Sequence, residues 1–545
     1  MAQPVIPPHP ADFDPLELDI LKRREAFSLP PRDVCDTLVK IFFEWIAPIL
    51  PVVNRQEFMR KYHSPNGIGP PILLLQAIFM VAARFTTNQQ SSDGRSISTP
   101  RVFHKKTKAL YNAGYEKDPV TILQAVILLG MYWDGPDDLT ECGIFYWSRL
   151  GTALAQAYGM NDKERYTDLN HSERSLRKRI WWTLYTRDRS VAAAFGRPLH
   201  IDLSDFTVDP LTESDFIERD ERLQIEYPCD MAQARFFIEY VKLCQLMDLG
   251  LCLKLSARST QDNRRAEAAQ CELGLSEWLA SCPLELQWRQ SRHTFLSGVL
   301  FSTFYTIVCQ LQLLQEPGSS NNAQKSSFHA ASTVISILET LYSHGQLQYA
   351  PSFIICHAVV SFVTLQHQME ASMPSLLHAI RLKLDANLEM LEVLSQTWPI
   401  ARMMLELFQA TATSAHFDRL LIAAVDDCRR RSLGEINDTS NGPRSFQRSR
   451  LRQVVLPQSR VVLQLLARTS QNRMTAISRP MPDDILSDTN VENESYELRS
   501  GDIDLNESPD AYSSALETDP SAILQNLQEV IRIGRSNLYN TDYSF

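Results

Sequence analysis

The segment WDGPDDLTE carries Asp137, Asp138 and Glu141, three carboxylates at helical spacing. Acids in this pattern hold Mg2+ against a diphosphate, because a hard cation takes oxygen ligands and substrate phosphates complete its shell. The same residues also make an ordinary helix start, with carboxylates facing the positive end of the helix dipole. No second Asn/Ser/Glu magnesium motif follows at a suitable distance. An all-helical Mg-dependent diphosphate enzyme is therefore the alternative reading, and no catalytic residue is assigned. The twelve histidines are scattered, without HExxH or a close cysteine-histidine cluster. His357 and His367 fall on one apolar stretch and read as core residues. No GxSxG elbow supports a Ser/His/Asp nucleophile. Among ten cysteines the closest pair, Cys244 and Cys252, lies eight positions apart, which excludes CxxC. Most cysteines sit in apolar patterns, as small buried hydrophobes do. Neither a structural zinc site nor any other cofactor is expected from that spacing.

Charge supplies two further candidates. Arg429, Arg430 and Arg431, followed after a polar spacer by Arg448, Arg450 and Arg452, have the layout of a bipartite nuclear-import signal. The same runs also occur as solvated helix ends. Residues 481–520 hold twelve acids against Arg499 alone, although the whole chain carries only −10. Ile485, Leu486, Tyr496, Leu498, Ile503, Leu505, Tyr512 and Leu516 are interspersed among those acids. Carboxylates keep such a segment dissolved while aromatic and leucine side chains dock in a partner's groove, so it reads as activation-type composition or as a plain disordered tail.

The elements that position these residues follow a helical period. Val34, Leu38, Ile41, Phe42, Trp45 and Ile46 recur at three- and four-residue spacing, up to Pro48. Pro70-Pro71 opens ILLLQAIFMVAARF, which is apolar on every side and must lie at the centre of a core. Helices are predicted near 101–116, 120–133 and 138–158. Asn170 and Glu173 form a capping box for SERSLRKRIWWTLYTRDRSVAAAF, which stops at Gly196 before Pro198. After the irregular acidic stretch 202–226, helical periods resume near 229–256, 262–281, 293–315, 326–343, 353–371, 376–395 and 399–428, with one more helix near 451–468. Only 19 glycines in 545 residues, and no alternating β-branched run, argue for an all-α multi-helix bundle. No apolar run reaches 18 residues and no secretory signal opens the chain, which points to a soluble intracellular protein without a membrane partner.

The segment 170–201 resembles the signature helix of the fungal-specific transcription factor domain, the middle homology region of zinc-cluster regulators. Arg177, Arg179, Trp181, Trp182, Leu184, Tyr185, Asp188, Arg189, Gly196, Arg197 and Pro198 carry the match. FFEWIAPILPVVNRQEF, LLLQAIFMVAARF, YWSRLGTALAQAYGM and LSEWLASCPLELQW resemble other family segments in the same order. The similarity spans about residues 33–315, with cutinase-regulator-like members nearest. It implies a nuclear transcription regulator of a nutrient-use or secondary-metabolite pathway, with cytoplasm as the other compartment. The family's zinc would need a six-cysteine module interleaved with basic residues, and no cysteine precedes Asp33. DNA is therefore expected to be reached indirectly, through a DNA-binding partner or a module encoded upstream. The transcription machinery and a second copy of the chain are the other expected partners. A helical interaction scaffold without regulatory activity is a further alternative.

The predicted organisation is a disordered Pro-rich leader over 1–32, a regulatory domain over 33–315 and its helical continuation over 316–430. A basic linker at 431–480 and an acidic tail at 481–545 follow. Within the signature helix, Leu176, Ile180, Leu184 and Val191 make the apolar stripe, which Trp181 and Tyr185 widen. The run Arg177–Arg179 is assigned to a solvated face, with phosphate contact as the other reading. Arg189 and Arg197 are expected to pair locally with Asp188 and with the acids at 202–205.

Overall fold

The computed structural model describes residues 13–412, apart from 65–68, 87–98, 133–142, 196–198, 219–226, 228–229, 256–260, 314–320 and 370–373. The described residues form fifteen α-helices and no strand. Asp137, Asp138, Glu141, His367's side chain, Gly196, Arg197, Pro198, the six candidate import arginines and the acidic tail lie outside what is described.

Within the predicted leader, residues 15–23 form a helix, and residues 1–12 lie outside the described ones. Helix α1 (Pro15–Arg23) starts on Asp14, whose carboxylate accepts from the Leu16 amide at 2.9 Å, with proline at the first helical position. It ends on Glu25 at φ 52°, a left-handed cap that lets the Ala26 amide donate back to Leu21. Leu21 and Ala26 are buried, and Phe13 and Phe27 pack edge-on against Tyr115. The prolines drew attention away from these apolar anchors.

Helix α2 (Arg32–Ile41) continues as a π-turn over Phe42–Ile46, and α3 (Arg55–Tyr62) follows the Pro-Ile-Leu turn. Helix α4 (Ile72–Ala83) is buried at all twelve positions, as its composition requires. It packs against α5 (Pro100–Asn112) and α6 (Pro119–Leu129). Gln76, the one polar side chain on α4, donates to the carbonyls of Ala26 and Ser28 at 3.1 Å each, and Lys106 donates to the Ser28 carbonyl at 2.9 Å. The chain after α1 is thus tied to the core by buried polar groups that would otherwise be costly. Asp118 caps α6 through the Thr121 amide at 2.9 Å. On the same helix, Gln124 donates to the Val52 carbonyl at 2.7 Å and fixes the turn before α3.

Helix α7 (Ile144–Ala157) lays Gly151 against Leu184 of α8 (His171–Phe195). The fit is tight, since a Cβ on Gly151 would lie 3.0 Å from the Leu184 side chain, which would have to give by a few tenths of an ångström. Irregular chain then leads to α9 (Met231–Leu255), which packs on α8. The remaining helices are α10 (Gln261–Ser281), α11 (Phe295–Leu313), α12 (Asn321–Ser343), α13 (Ile354–Met369), α14 (Pro374–Ser395) and α15 (Pro399–Ala412). They stack in sequence order, α11 on α12, α12 on α13, α14 on α15. His357 sits inside this stack with its ring nitrogen 3.0 Å from the Ser302 hydroxyl, and burial pushes its pKa down to about 3. It is a core histidine, as its apolar surroundings suggested.

Candidate functional site

The site to examine is α8, since the sequence placed its most distinctive residues there. The helix opens on the predicted capping box: Asn170 accepts from the Glu173 amide at 2.9 Å and Glu173 accepts back from the Asn170 amide at 3.4 Å. Two helical turns on, solvent is excluded. From Arg179 through Thr186 every residue is buried.

The basic run does not lie on a solvated face. Arg177 is only partly exposed. Lys178 reaches Asp215 at 2.8 Å, and the same carboxylate accepts from the Thr212 amide at 2.8 Å. Arg179 is buried and donates to the Asn54 carboxamide, while its guanidinium stands 5.7 Å from the Phe216 ring centroid. Glu218 completes this end by accepting from the amides of Gln56 and Glu57 at 3.0 and 3.3 Å, at the start of α3. Burial raises the Glu218 pKa, with Arg179 and the backbone amides opposing that shift. These cations staple the loops at 54 and 212–218 onto α8. Phosphate contact is equally corrected for Arg179, whose charge is enclosed.

The tryptophans occupy the middle. Trp181 and Trp182 are buried, and both meet the Phe206 ring edge-on at 5.4 and 5.5 Å. Trp182 Nε1 donates to the Asp209 carbonyl at 3.0 Å. An aromatic of the irregular stretch is thereby held on the helix, and of the apolar stripe read from sequence Ile180, Leu184 and Val191 are buried while Leu176 is partly exposed.

Asp188 and Arg189 form the far end. Arg189 is fully buried, 3.1 Å from Asp188 and 2.8 Å from Asp248 of α9, with its guanidinium 3.7 Å above the Tyr185 ring. Asp188 also accepts from the amides of His200 and Ile201 at 2.9 and 3.0 Å, which folds the chain back after the helix. The local pair of Arg189 with Asp188 is as expected; the partner on α9 is not. Asp248 lies 59 residues away and carries no local signature, so only the fold reveals it.

This arrangement holds α8 to the loops and helices around it. Each α8 acid or cation named above, except Arg177, is engaged by a neighbour. Burial pushes the thiols of Cys35, Cys244, Cys282 and Cys309 up to about 12 and that of Cys271 to about 11, far from a reactive thiolate. Among the described residues no group of three or more His, Cys, Asp or Glu side chains is placed to hold a metal ion. No helix among them is long and apolar enough to cross a membrane.

Residues 39–307 match the fungal specific transcription factor domain. The chain is 40% identical over 411 residues to cutinase transcription factor 1 alpha of Fusarium vanettenii, an alignment covering 73% of this chain and 45% of that protein. It is 27% identical over 396 residues to the acetamidase regulatory protein of Aspergillus fumigatus, covering 71% and 49%. It is 23% identical over 392 residues to the fusaric acid cluster transcription factor of Gibberella fujikuroi, covering 68% and 57%. The chain spans about half the length of these curated relatives. No solved structure matches.

Proposed function

We propose, for a chain whose residues 39–307 belong to the fungal specific transcription factor domain family, that it regulates transcription of a set of pathway genes. The observation that carries this is the 40% identity to a cutinase transcription factor over 411 residues. The relatives' names are those of regulators of cutinase, acetamidase and fusaric acid genes, and none is an enzyme's name. The buried α8 supports the same reading, since its charged residues are committed to holding the body together.

In this reading the helical body is the regulatory part, in the nucleus, and residues 481–520 contact the transcription machinery through side chains set among their acids. DNA is reached through a partner or a separate zinc module, and a homodimer is one form that such a complex takes. Arg429–Arg431 with Arg448, Arg450 and Arg452 supply nuclear import. Profiling transcripts in a host with and without the full chain tests the proposal. A co-regulated group of pathway genes should move by several fold. Residues 440–545 tethered to a heterologous DNA-binding domain should activate a reporter, and exchanging the six arginines for glutamine should leave the chain in the cytoplasm. No transcript change, together with a silent tethered tail, favours an interaction scaffold instead.

A further inference from the structure

Arg187 is an α8 cation whose guanidinium is enclosed without an acidic partner among the described residues. Its Nη2 donates to the Gly130 carbonyl at 2.8 Å, where α6 ends, and Nη1 rests against the Met131 thioether. No carboxylate of the described residues lies within ion-pair distance. The residue as a whole keeps some accessible surface, but its guanidinium is enclosed by protein, and burial lowers its pKa to about 10. It therefore remains a cation at neutral pH, in a place where a thioether is a poor substitute for an anion.

Met131 has a second face. It lines a slot between the α2 end and the chain around α14 and α15, walled by Trp45, Tyr132, Tyr349, Trp398 and Arg84. Trp45 stacks on Tyr349 at 4.1 Å, and the Arg84 guanidinium lies 4.7 Å over the Trp398 ring while donating to the Thr397 carbonyl at 3.2 Å. The free volume is about 20 Å³, room for one water. The slot is thus narrow, apolar and aromatic, with a methionine between it and a buried cation. Methionine is unbranched and changes rotamer readily, so this wall is the easiest one to move.

We propose that Met131 is a displaceable wall and that the slot takes a small organic carboxylate, its aromatic or short aliphatic body against Trp45 and Trp398 and its carboxylate on Arg187. A carboxylate makes a charge-assisted bond that the thioether cannot, and the aromatic walls select against a heavily hydrated inorganic anion. This does not rest on the transcription reading. The test is titration of the full chain with benzoate, 4-phenylbutyrate and octanoate, each beside its alcohol, followed by tryptophan fluorescence and by calorimetry. At least one carboxylate should bind tenfold or more tightly than its alcohol. Arg187→Met should abolish that preference, and Met131→Ala should keep it and strengthen binding. Melting curves show whether the variants fold; if Arg187→Met does not, Met131→Phe, which blocks the passage, should lose carboxylate binding instead. Equal binding of acid and alcohol, or no binding even to the Met131→Ala chain, overturns the proposal. So does a preference that emerges only after Asp134, Asp137 and Asp138 are changed to asparagine, since the chain's own acids then hold the cation.

Discussion

Arg187 and Arg189 are two residues apart on one helix and live under opposite conditions. Arg189 sits between Asp188 and Asp248, over Tyr185, so its charge is balanced by two carboxylates and an aromatic face. Arg187 points toward the end of α6 and finds a carbonyl and a thioether. The contrast separates two uses of a buried cation. One joins α8 to α9 through Asp248 and pairs with Asp188, and its removal leaves both carboxylates without their cation. The other contributes little to holding the fold and stands ready for an anion. A motif that contains both in the sequence TRDRS gives no sign of the difference until the partners are in place.

The comparison breaks most sharply at Asp188. Asp188→Ala takes one of the two carboxylates from the buried Arg189 guanidinium and leaves the His200 and Ile201 amides without their acceptor, and denaturant titration should show a loss of about 3 kcal/mol. A loss under about 1 kcal/mol would mean that the clamp is not load-sharing.

A second buried group extends the comparison to a neutral residue. His357 is held neutral, its folded pKa of about 3 lying below the unfolded value. Its contribution to stability is fully present above about pH 6.5 and is lost as pH falls toward 3, because the unfolded chain takes up the proton. Stability should therefore fall by up to about 1.4 kcal/mol per pH unit in that window through this residue. His357→Gln, if it folds, should flatten that slope between pH 6 and 5; an unchanged slope would place the proton uptake elsewhere.

Smaller effects are expected away from the clamp. Trp182→Phe removes the bond to the Asp209 carbonyl and part of a buried ring packed on Phe206, and should cost about 2 kcal/mol. Arg187→Met, on the uncompensated side, should change stability by less than about 1 kcal/mol in either direction, since lost helix-end hydrogen bonding is offset by relief of a desolvated charge. A loss above about 2 kcal/mol would make Arg187 a second clamp and erase the contrast.

Much of this was legible in the residues. The all-helical class, the central position of ILLLQAIFMVAARF and the Asn170/Glu173 box follow from periodicity and capping rules, which are local. The signature helix was visible because two adjacent tryptophans and the charged residues around them form an uncommon local pattern. Residues 13–31 were read as leader because they follow a proline-rich start and are flanked by Pro15, Pro30 and Pro31, whereas Leu21, Ala26 and Phe27 acquire meaning only against the folded body and Tyr115. The basic run 177–179 was misplaced for a related reason. Lysine and arginine are usually solvated, and the partners that bury them here, Asn54 and Asp215, come from loops 125 and 37 residues away. The slot beside Met131 draws on residues from 45 to 398 and had no sequence signal at all.

The most direct test of α8 as a structural clamp is a double-mutant cycle between Arg189→Met and Asp248→Asn, read by equilibrium denaturation of the full chain. A coupling of about 2–3 kcal/mol is predicted for a buried, hydrogen-bonded pair. A coupling near zero would show that the two side chains do not hold the helices together, and would contradict the account.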